Sequence, residues 1–369
     1  VWIETLNGWA ESWTRFMWYR TVDSAVVLLI VGAIWLLLRR RLSPQFGYWL
    51  FMIVLFKLMV PSFVSVPVLI ESLYPHQPIE GRLGNLNIGG EWIFGGASKP
   101  GTDPSSENPA SAGLGETNQR TGMSLGAVLM LSWGLLVVVQ LLRFSLYQWS
   151  TRRKLRDAEP LDLGSLPVDL ENLRQIAGVK RRVKWIKCSW VNSPVVWGVI
   201  QPTVIVPHDF FDNFSDTQIR WILLHELAHV RRGDNGVSIV QTLLQVIFFF
   251  NPVVWIANLL IYQQREYACD DSALIEARAP RKDCGEGFLG VAVFTDRFPL
   301  FMPATLSIVN YKTYVRKRLL RILDARRRLH PRIPFASVVF LLAVAATVLP
   351  LGTGTAVAQE DGWMMVAET

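Results

Sequence analysis

The sequence predicts an α-rich membrane protein in which four transmembrane helices carry an inserted cytoplasmic α+β domain. Three observations predict it. Apolar residues make up 51% of the 369-residue chain and charged residues only 18%, against about 25% charged in an ordinary soluble domain. Four apolar runs stand near 22–38, 46–64, 123–143 and 334–353, with a polar stretch of domain size, 144–333, between the last two. Basic clusters gather beside the runs, as in Arg39-Arg40-Arg41, Arg152-Arg153-Lys154 and Arg326-Arg327-Arg328, which is the asymmetry of cytoplasmic flanks. The net charge of +7 is therefore assigned to membrane orientation. No aromatic-interleaved or zinc-knuckle motif accompanies it, so no direct nucleic-acid binding is expected.

An N-terminal segment and a transmembrane hairpin fill 1–70. Ser24 to Leu38 is apolar, is extended at its start by Thr21 and Val22, and closes at the arginine triplet. It reads as a span rather than as the core of a signal peptide. Phe46 to Val60 is broken only by Lys57 and ends at Pro61. Lys57 is expected to snorkel near the helix end; the alternative is a functional charge inside the membrane. Residues 71–122, rich in Gly, Pro, Ser and Asn and weakly acidic, are expected to form a flexible extracytoplasmic loop. A third span, 123–143, leads into the cytoplasmic domain, 144–333. A fourth, 334–353, leaves a short extracytoplasmic tail, 354–369, which is expected to stop short of its natural end. The chain begins at Val1 and not at Met, so an upstream beginning is expected as well. Cys188, Cys269 and Cys284 form no CxxC pair and are odd in number, which argues against a disulfide framework and suits a reducing compartment.

Inside the domain, Asp169 to Ala177 reads as a helix. Arg182 to Trp190, Val195 to Ile200 and Thr203 to Val206 are β-branched runs separated by Asn-Ser-Pro and Gln-Pro turns, the pattern of short strands. Ser215-Asp216-Thr217-Gln218 offers a capping box for a helix running through Arg231.

That helix carries His225-Glu226-Leu227-Ala228-His229. A spacing of four places both imidazoles on one helix face, a turn apart, where their neutral nitrogens can bind one Zn²⁺. Glu226, beside the first ligand, is placed to act as general base and to return the proton to a leaving amine. The bland alternative is a surface helix with two solvated histidines. The apolar residues crowding the pair, from Trp221 to Val230, argue against it. A catalytic zinc needs a third protein ligand and an open position. Glu266 is the candidate third ligand, and Asp270, four residues on, would hydrogen-bond a ligand histidine from behind. The alternative is an ordinary charged helix face. Cys269 is expected to point away from the Glu266 face as a packed thiol. Asp234 either orients His229 or caps the next helix.

The segment Val237 to Ile261 tests this assignment. It is almost wholly apolar and long enough to pass for a span. A straight helix there would run roughly 36 Å and carry Glu266 away from the histidines. Asn251-Pro252 resolves the conflict, because proline breaks the helix. A helical hairpin is therefore expected, buried in the domain or dipping into the inner membrane surface, with its return bringing Glu266 to the metal.

Three stretches then resemble the BlaR/MecR-type integral-membrane zinc peptidases of bacteria, a gluzincin group: Ser193-Pro194-Val195-Val196-Trp197-Gly198 through Pro202 to Pro207; His225 to Asp234; and Asn251-Pro252 followed by Glu266 to Asp270. The resemblance implies a zincin-like domain in which His225, His229 and Glu266 bind zinc and Glu226 is the base. It also implies a signal-activated protease of the bacterial cytoplasmic membrane that cuts itself and leads to cleavage of a transcriptional repressor. The chain departs from the family's antibiotic receptors in having no Ser-x-x-Lys motif after the fourth span, so β-lactam sensing is not expected of it.

The expected activity is thus regulated endoproteolysis of a cytoplasmic protein in response to an outside signal. Membrane lipid and a second copy of the chain complete the expected partners. The rival readings are a quality-control or prenyl-type membrane protease and a non-catalytic receptor with structural zinc. An intact Glu226 argues against the second, since a structural site needs no base.

Overall fold

The computed structural model describes residues 2–39, 42–60, 64–65, 122–161, 166–295, 311–329 and 333–352. The expected tail 354–369, and all but the last residue of the expected loop 71–122, lie outside the described residues. The chain divides into two compact units, residues 1–18 with 67–135 and residues 19–66 with 136–369. The boundaries fall inside α1 (Trp2–Leu38) and α3 (Leu125–Arg156).

In the smaller unit the Asn7 side chain accepts from the Ser124 amide at 2.9 Å, and the Trp13 and Trp133 rings meet at 5.4 Å. Both α1 and α3 are long and apolar enough to cross a membrane. Each contains an 18-residue window of mean hydropathy 2.3, of which only 22% and 6% are buried. These helices point to a membrane protein. The runs expected at 46–64 and 334–353 appear as the shorter helices α2 (Pro44–Met59) and α11 (Phe335–Val348), of 16 and 14 residues. Helix α1 starts some twenty residues before the apolar run. Glu4, Glu11, Arg15 and Arg20 lower the hydropathy there without breaking a helix, so the apolar run marks only part of it.

The larger unit holds the sheet and the remaining helices. Its four-stranded sheet runs in the order β2 (Glu159–Pro160), β3 (Lys184–Cys188), β5 (Thr203–Pro207), β4 (Val195–Trp197). β3 and β5 are parallel, and β4 lies antiparallel to β5 with Val196 opposite Val204. The expected strand runs are all present, the first two trimmed at their ends and the third extended by Pro207. β4 is an edge strand. A separate short parallel pair joins β1 (Val64–Ser65) to β6 (Leu351–Gly352). Asp169 caps α4 (Leu170–Ile176) by accepting from two backbone amides, and the short α5 (Phe210–Asn213) follows the sheet.

Helix α6 (Asp216–Arg232) begins at the expected capping box, Ser215 with Gln218. Its apolar face, including Ile219, Leu223, Leu224 and Leu227, packs into a core shared with Val204 and Val206 of β5. Gly233, at φ 72°, supplies the left-handed residue that ends α6 and lets α7 (Asp234–Ile247) start at once. Asn251 then caps α8 (Pro252–Ala277), with Pro252 in its first turn. The expected hairpin is therefore present, and α8 returns along α6. Helices α9 (Arg281–Thr295) and α10 (Tyr311–Leu323) complete the unit.

Helix α2 packs along α8 more extensively than any other pair of elements among the described residues. Gly47 lets α2 lie close to α1 and α8 together, because a Cβ there would come within 2.7 Å of the Trp35 ring and 3.0 Å of Gln264 Oε1. From α1, Ser24 Oγ accepts from Asn251 Nδ2 at 3.3 Å. Lys57 does not snorkel. It is 1% exposed, donates to the Leu349 carbonyl at 3.0 Å and lies 3.7 Å from Asp23 Oδ2. The acceptors that α1 and the end of α11 place around it draw the ammonium inward.

Candidate metal centre

The return of α8 brings Glu266 under the two histidines of α6. His225 Nε2 lies 3.6 Å from Glu266 Oε2, and His229 Nε2 lies 3.8 Å from Glu266 Oε1. One atom from each of the three residues falls within a 4.8 Å cluster. A tetrahedral ion 2.0–2.2 Å from each donor would hold them about 3.4 Å apart, so the two histidine–glutamate separations need only a few tenths of an ångström of closure. Two histidines and one glutamate beside a cavity are a donor set that could hold a zinc ion and leave a position open.

Each histidine is held from behind. Asp234 Oδ2 accepts from His229 Nδ1 at 2.8 Å, and both Asp234 oxygens accept from Arg232 Nε at 3.2 Å. The cap position of α7 is Gly233, and the described side-chain contacts of Asp234 go to His229, Arg232 and Cys269, which favours the first of its two expected roles. Asp270 Oδ1 lies 3.1 Å from His225 Nδ1, close but off hydrogen-bond alignment. Burial lowers the pKa of His225, but Asp270 and Glu266 outweigh it and carry the imidazole up to about 10 in the metal-free protein. Glu266 is buried too, yet Arg318 and the histidines hold its carboxyl well below the usual range.

Glu226 stands on α6 in the same cavity, and burial pushes its pKa up against the pull of His229 and His225. That direction moves a carboxylate toward the working range of a general base near neutral pH. The cavity, about 280 Å³, runs from Ser193–Val196 at the β4 edge past both histidines to Phe288, Val291 and Val315. Its wall thus combines an edge strand, whose Val196 carbonyl accepts from Asn235 Nδ2 at 3.2 Å, the donor cluster and an apolar surface.

The comparisons with known proteins decide the family. Residues 15–319 match the BlaR1 peptidase M56 family. The chain belongs to the peptidase M56 family. Among curated relatives, the regulatory protein BlaR1 of Bacillus licheniformis is 29% identical over 136 residues, which is 36% of this chain and 22% of that protein. The methicillin resistance mecR1 protein of Staphylococcus aureus is 27% identical over 95 residues, 26% of this chain and 16% of that protein. The matched stretch spans about a fifth of these relatives' length. Membership of M56 implies a peptidase, and of the metal-dependent kind.

Two parts of this cluster were not expected from the sequence. Cys269 does not simply pack away from the site. Its thiol lies 3.4 Å from His229 Nδ1 and 3.7 Å from Asp234 Oδ2, behind the ligand, and burial keeps it protonated. Arg318 is the larger omission. It donates to both oxygens of Asp270, at 3.0 and 2.7 Å, and lies 3.0 Å from Glu266 Oε2. Arg327 makes the same two-pronged contact with the buried Asp271, at 2.8 and 2.6 Å. In the sequence these arginines sit in a basic run before the fourth span and look like membrane flanks. The available signal was the surplus of buried-type carboxylates in Glu266-Tyr267-Ala268-Cys269-Asp270-Asp271, which requires cations from elsewhere in the fold.

Proposed function

We propose that this chain is a membrane-embedded zinc endopeptidase of signal transduction, cutting itself or a cytoplasmic protein such as a transcriptional repressor in answer to an extracytoplasmic signal. The supporting observation is the convergence of His225, His229 and Glu266 on one point of a cavity that is also lined by Glu226 and by the edge strand β4. In this reading His225, His229 and Glu266 hold zinc. Asp270 and Asp234 fix the histidine rings so that each Nε2 faces the ion. When bound, the ion polarises the peptide carbonyl and acidifies the attacking water.

The remaining chemistry falls to the chain's own groups. An extended substrate segment pairs with the free edge of β4 and lays its side chains against Phe288, Val291 and Val315. Glu226 takes a proton from the attacking water as that oxygen bonds to the carbonyl carbon. It returns the proton to the amine nitrogen as the C–N bond breaks.

The membrane arrangement follows the expected frame: four spans with residues 144–333 cytoplasmic and the loop 71–122 and tail outside. The short α2 and α11 serve as the second and fourth spans, and the dense packing of α2 against α8 suits a span that also supports the protease. The names of the relatives, a regulatory protein and a methicillin resistance protein, favour a signalling role over quality control.

Zinc content and self-cleavage in detergent test the reading, for wild type, Glu266→Ala and Glu226→Gln. Glu266→Ala should lose zinc. Glu226→Gln should keep zinc and lose about 10²–10⁴-fold in cleavage rate. Full zinc in Glu266→Ala would remove the third ligand and the proposed site with it.

A further inference from the structure

Behind His229 runs an unbroken line of contacts that ends on a membrane-side helix. Asp234 holds His229 Nδ1 at 2.8 Å. Arg232 holds Asp234 through Nε at 3.2 Å to each oxygen. The Arg232 guanidinium in turn lies over the ring of Tyr48 on α2, with Cζ 4.7 Å from the ring centre. All the links are shielded: Asp234 and Tyr48 are 3% exposed and the Arg232 side chain 15%. From α8 the Arg265 guanidinium and the neutral Cys269 thiol also face Asp234.

Each link depends on the one before it. Asp234 carries a full charge in a buried place, so its carboxylate goes where its cation is. Arg232 has one hydrogen-bond donor committed to Asp234, and a guanidinium face stacked on an aromatic ring is held in one orientation. Tyr48 follows Gly47, where a Cβ would stand within 3.0 Å of the Trp35 ring and of Gln264 Oε1, so α2 is closely seated on α1 and α8 beside the ring. No other residue of α2 touches this line among the described contacts.

We infer that Tyr48 is a positioning residue for the metal centre: its ring seats Arg232, which sets Asp234 and so the aim of His229 at the ion. The inference rests on the reading of His229 as a zinc ligand. It adds that the second apolar helix is part of the site's support, so a movement of α2 changes the geometry at the metal. What Tyr48 contributes is an aromatic face and not its hydroxyl.

The test is the affinity of the full-length detergent-solubilised protein for Zn²⁺, and the visible spectrum of its Co²⁺ form, in Tyr48→Phe, Tyr48→Leu and Phe56→Leu. Phe56 lies on the same helix, is half exposed and stands outside the line of contacts. Tyr48→Leu should weaken zinc binding about tenfold and shift the cobalt bands, with Tyr48→Phe restoring both and Phe56→Leu matching wild type. Unchanged affinity and spectrum in Tyr48→Leu overturn the inference. So does equal loss in Tyr48→Phe, or an equal loss in Phe56→Leu, which would mark a general effect on α2 packing. A wild-type protein that binds neither metal defeats the zinc site itself, and the inference with it.

Discussion

Helices α6 and α10 build opposite sides of one site, yet they are written into the sequence in different ways. On α6 everything needed is local: a capping box at Ser215, an apolar face, and two histidines one turn apart. On α10 the essential residue, Arg318, differs in no local respect from Arg316 and Lys317 beside it. Only the fold distinguishes them, by turning Arg318 onto Asp270 and Glu266 while its neighbours face outward. A motif that reads out through spacing is visible in one dimension. A counter-charge that meets its partner 48 residues away in sequence is not.

The largest effect that would sharpen this contrast is at Arg318. Arg318→Ala leaves Asp270 and Glu266 buried without their cation, which costs about 3–5 kcal/mol. Denaturant titration of the metal-free protein measures it. Arg318→Lys should recover only part of the loss, because an ammonium cannot grip both oxygens of Asp270 at once. If Arg318→Ala unfolds at the same midpoint as wild type, α10 is a membrane flank after all and the contrast disappears.

At Asp234 the sequence left two roles open, and its contact with His229 favours one. Asp234→Asn keeps the size of the side chain but weakens its hold on His229 and on Arg232. Zinc affinity should fall about 10–100-fold, with the start of α7 unaffected because the described contacts of the Asp234 side chain go to His229, Arg232 and Cys269. A competition titration with a chelating dye reads this. A drop in helix content with zinc affinity intact would restore the capping role.

The same carboxylates set a pH dependence. In the metal-free protein His225 is carried up to about 10 by Asp270 and Glu266, so at neutral pH its imidazole is charged and zinc must displace a proton. Apparent zinc affinity should therefore rise about tenfold per pH unit between pH 7 and 9. The linkage sign is opposite for the empty site. His225 contributes stability that is fully present below its unfolded value near 6.5 and is lost as pH rises toward 10. A flat affinity profile over that range would mean that the ring is already neutral and that Asp270 does not act on it.

Much of the rest was legible because it, too, was local. The break at Asn251-Pro252 separated α7 from α8 despite 25 nearly unbroken apolar residues, since proline and an Asn cap act within one turn. The strand runs held because β-branched residues and Pro turns bound them closely. The N-terminal half of α1 went unseen because helix formation does not require hydropathy, and the only signal used there was hydropathy. Lys57 was misjudged for the reason that hid Arg318. Its partners, Asp23 and the Leu349 carbonyl, lie far off along the chain, and a lone lysine near a helix end has a default explanation.

The smallest predicted effect is also the control for the first. Arg316→Ala and Lys317→Ala remove the same charge from the same helix as Arg318→Ala, one or two residues away. Both side chains are exposed, and no described contact ties either to a carboxylate. Their removal should change unfolding free energy by no more than about 0.5 kcal/mol and leave zinc affinity unaltered. This matters because a basic cluster on a membrane flank acts through its summed charge, in which each member counts alike. A clamp acts through one residue. Equal, modest losses at 316, 317 and 318 would therefore assign α10 to the membrane, whereas a loss confined to 318 assigns it to the metal site.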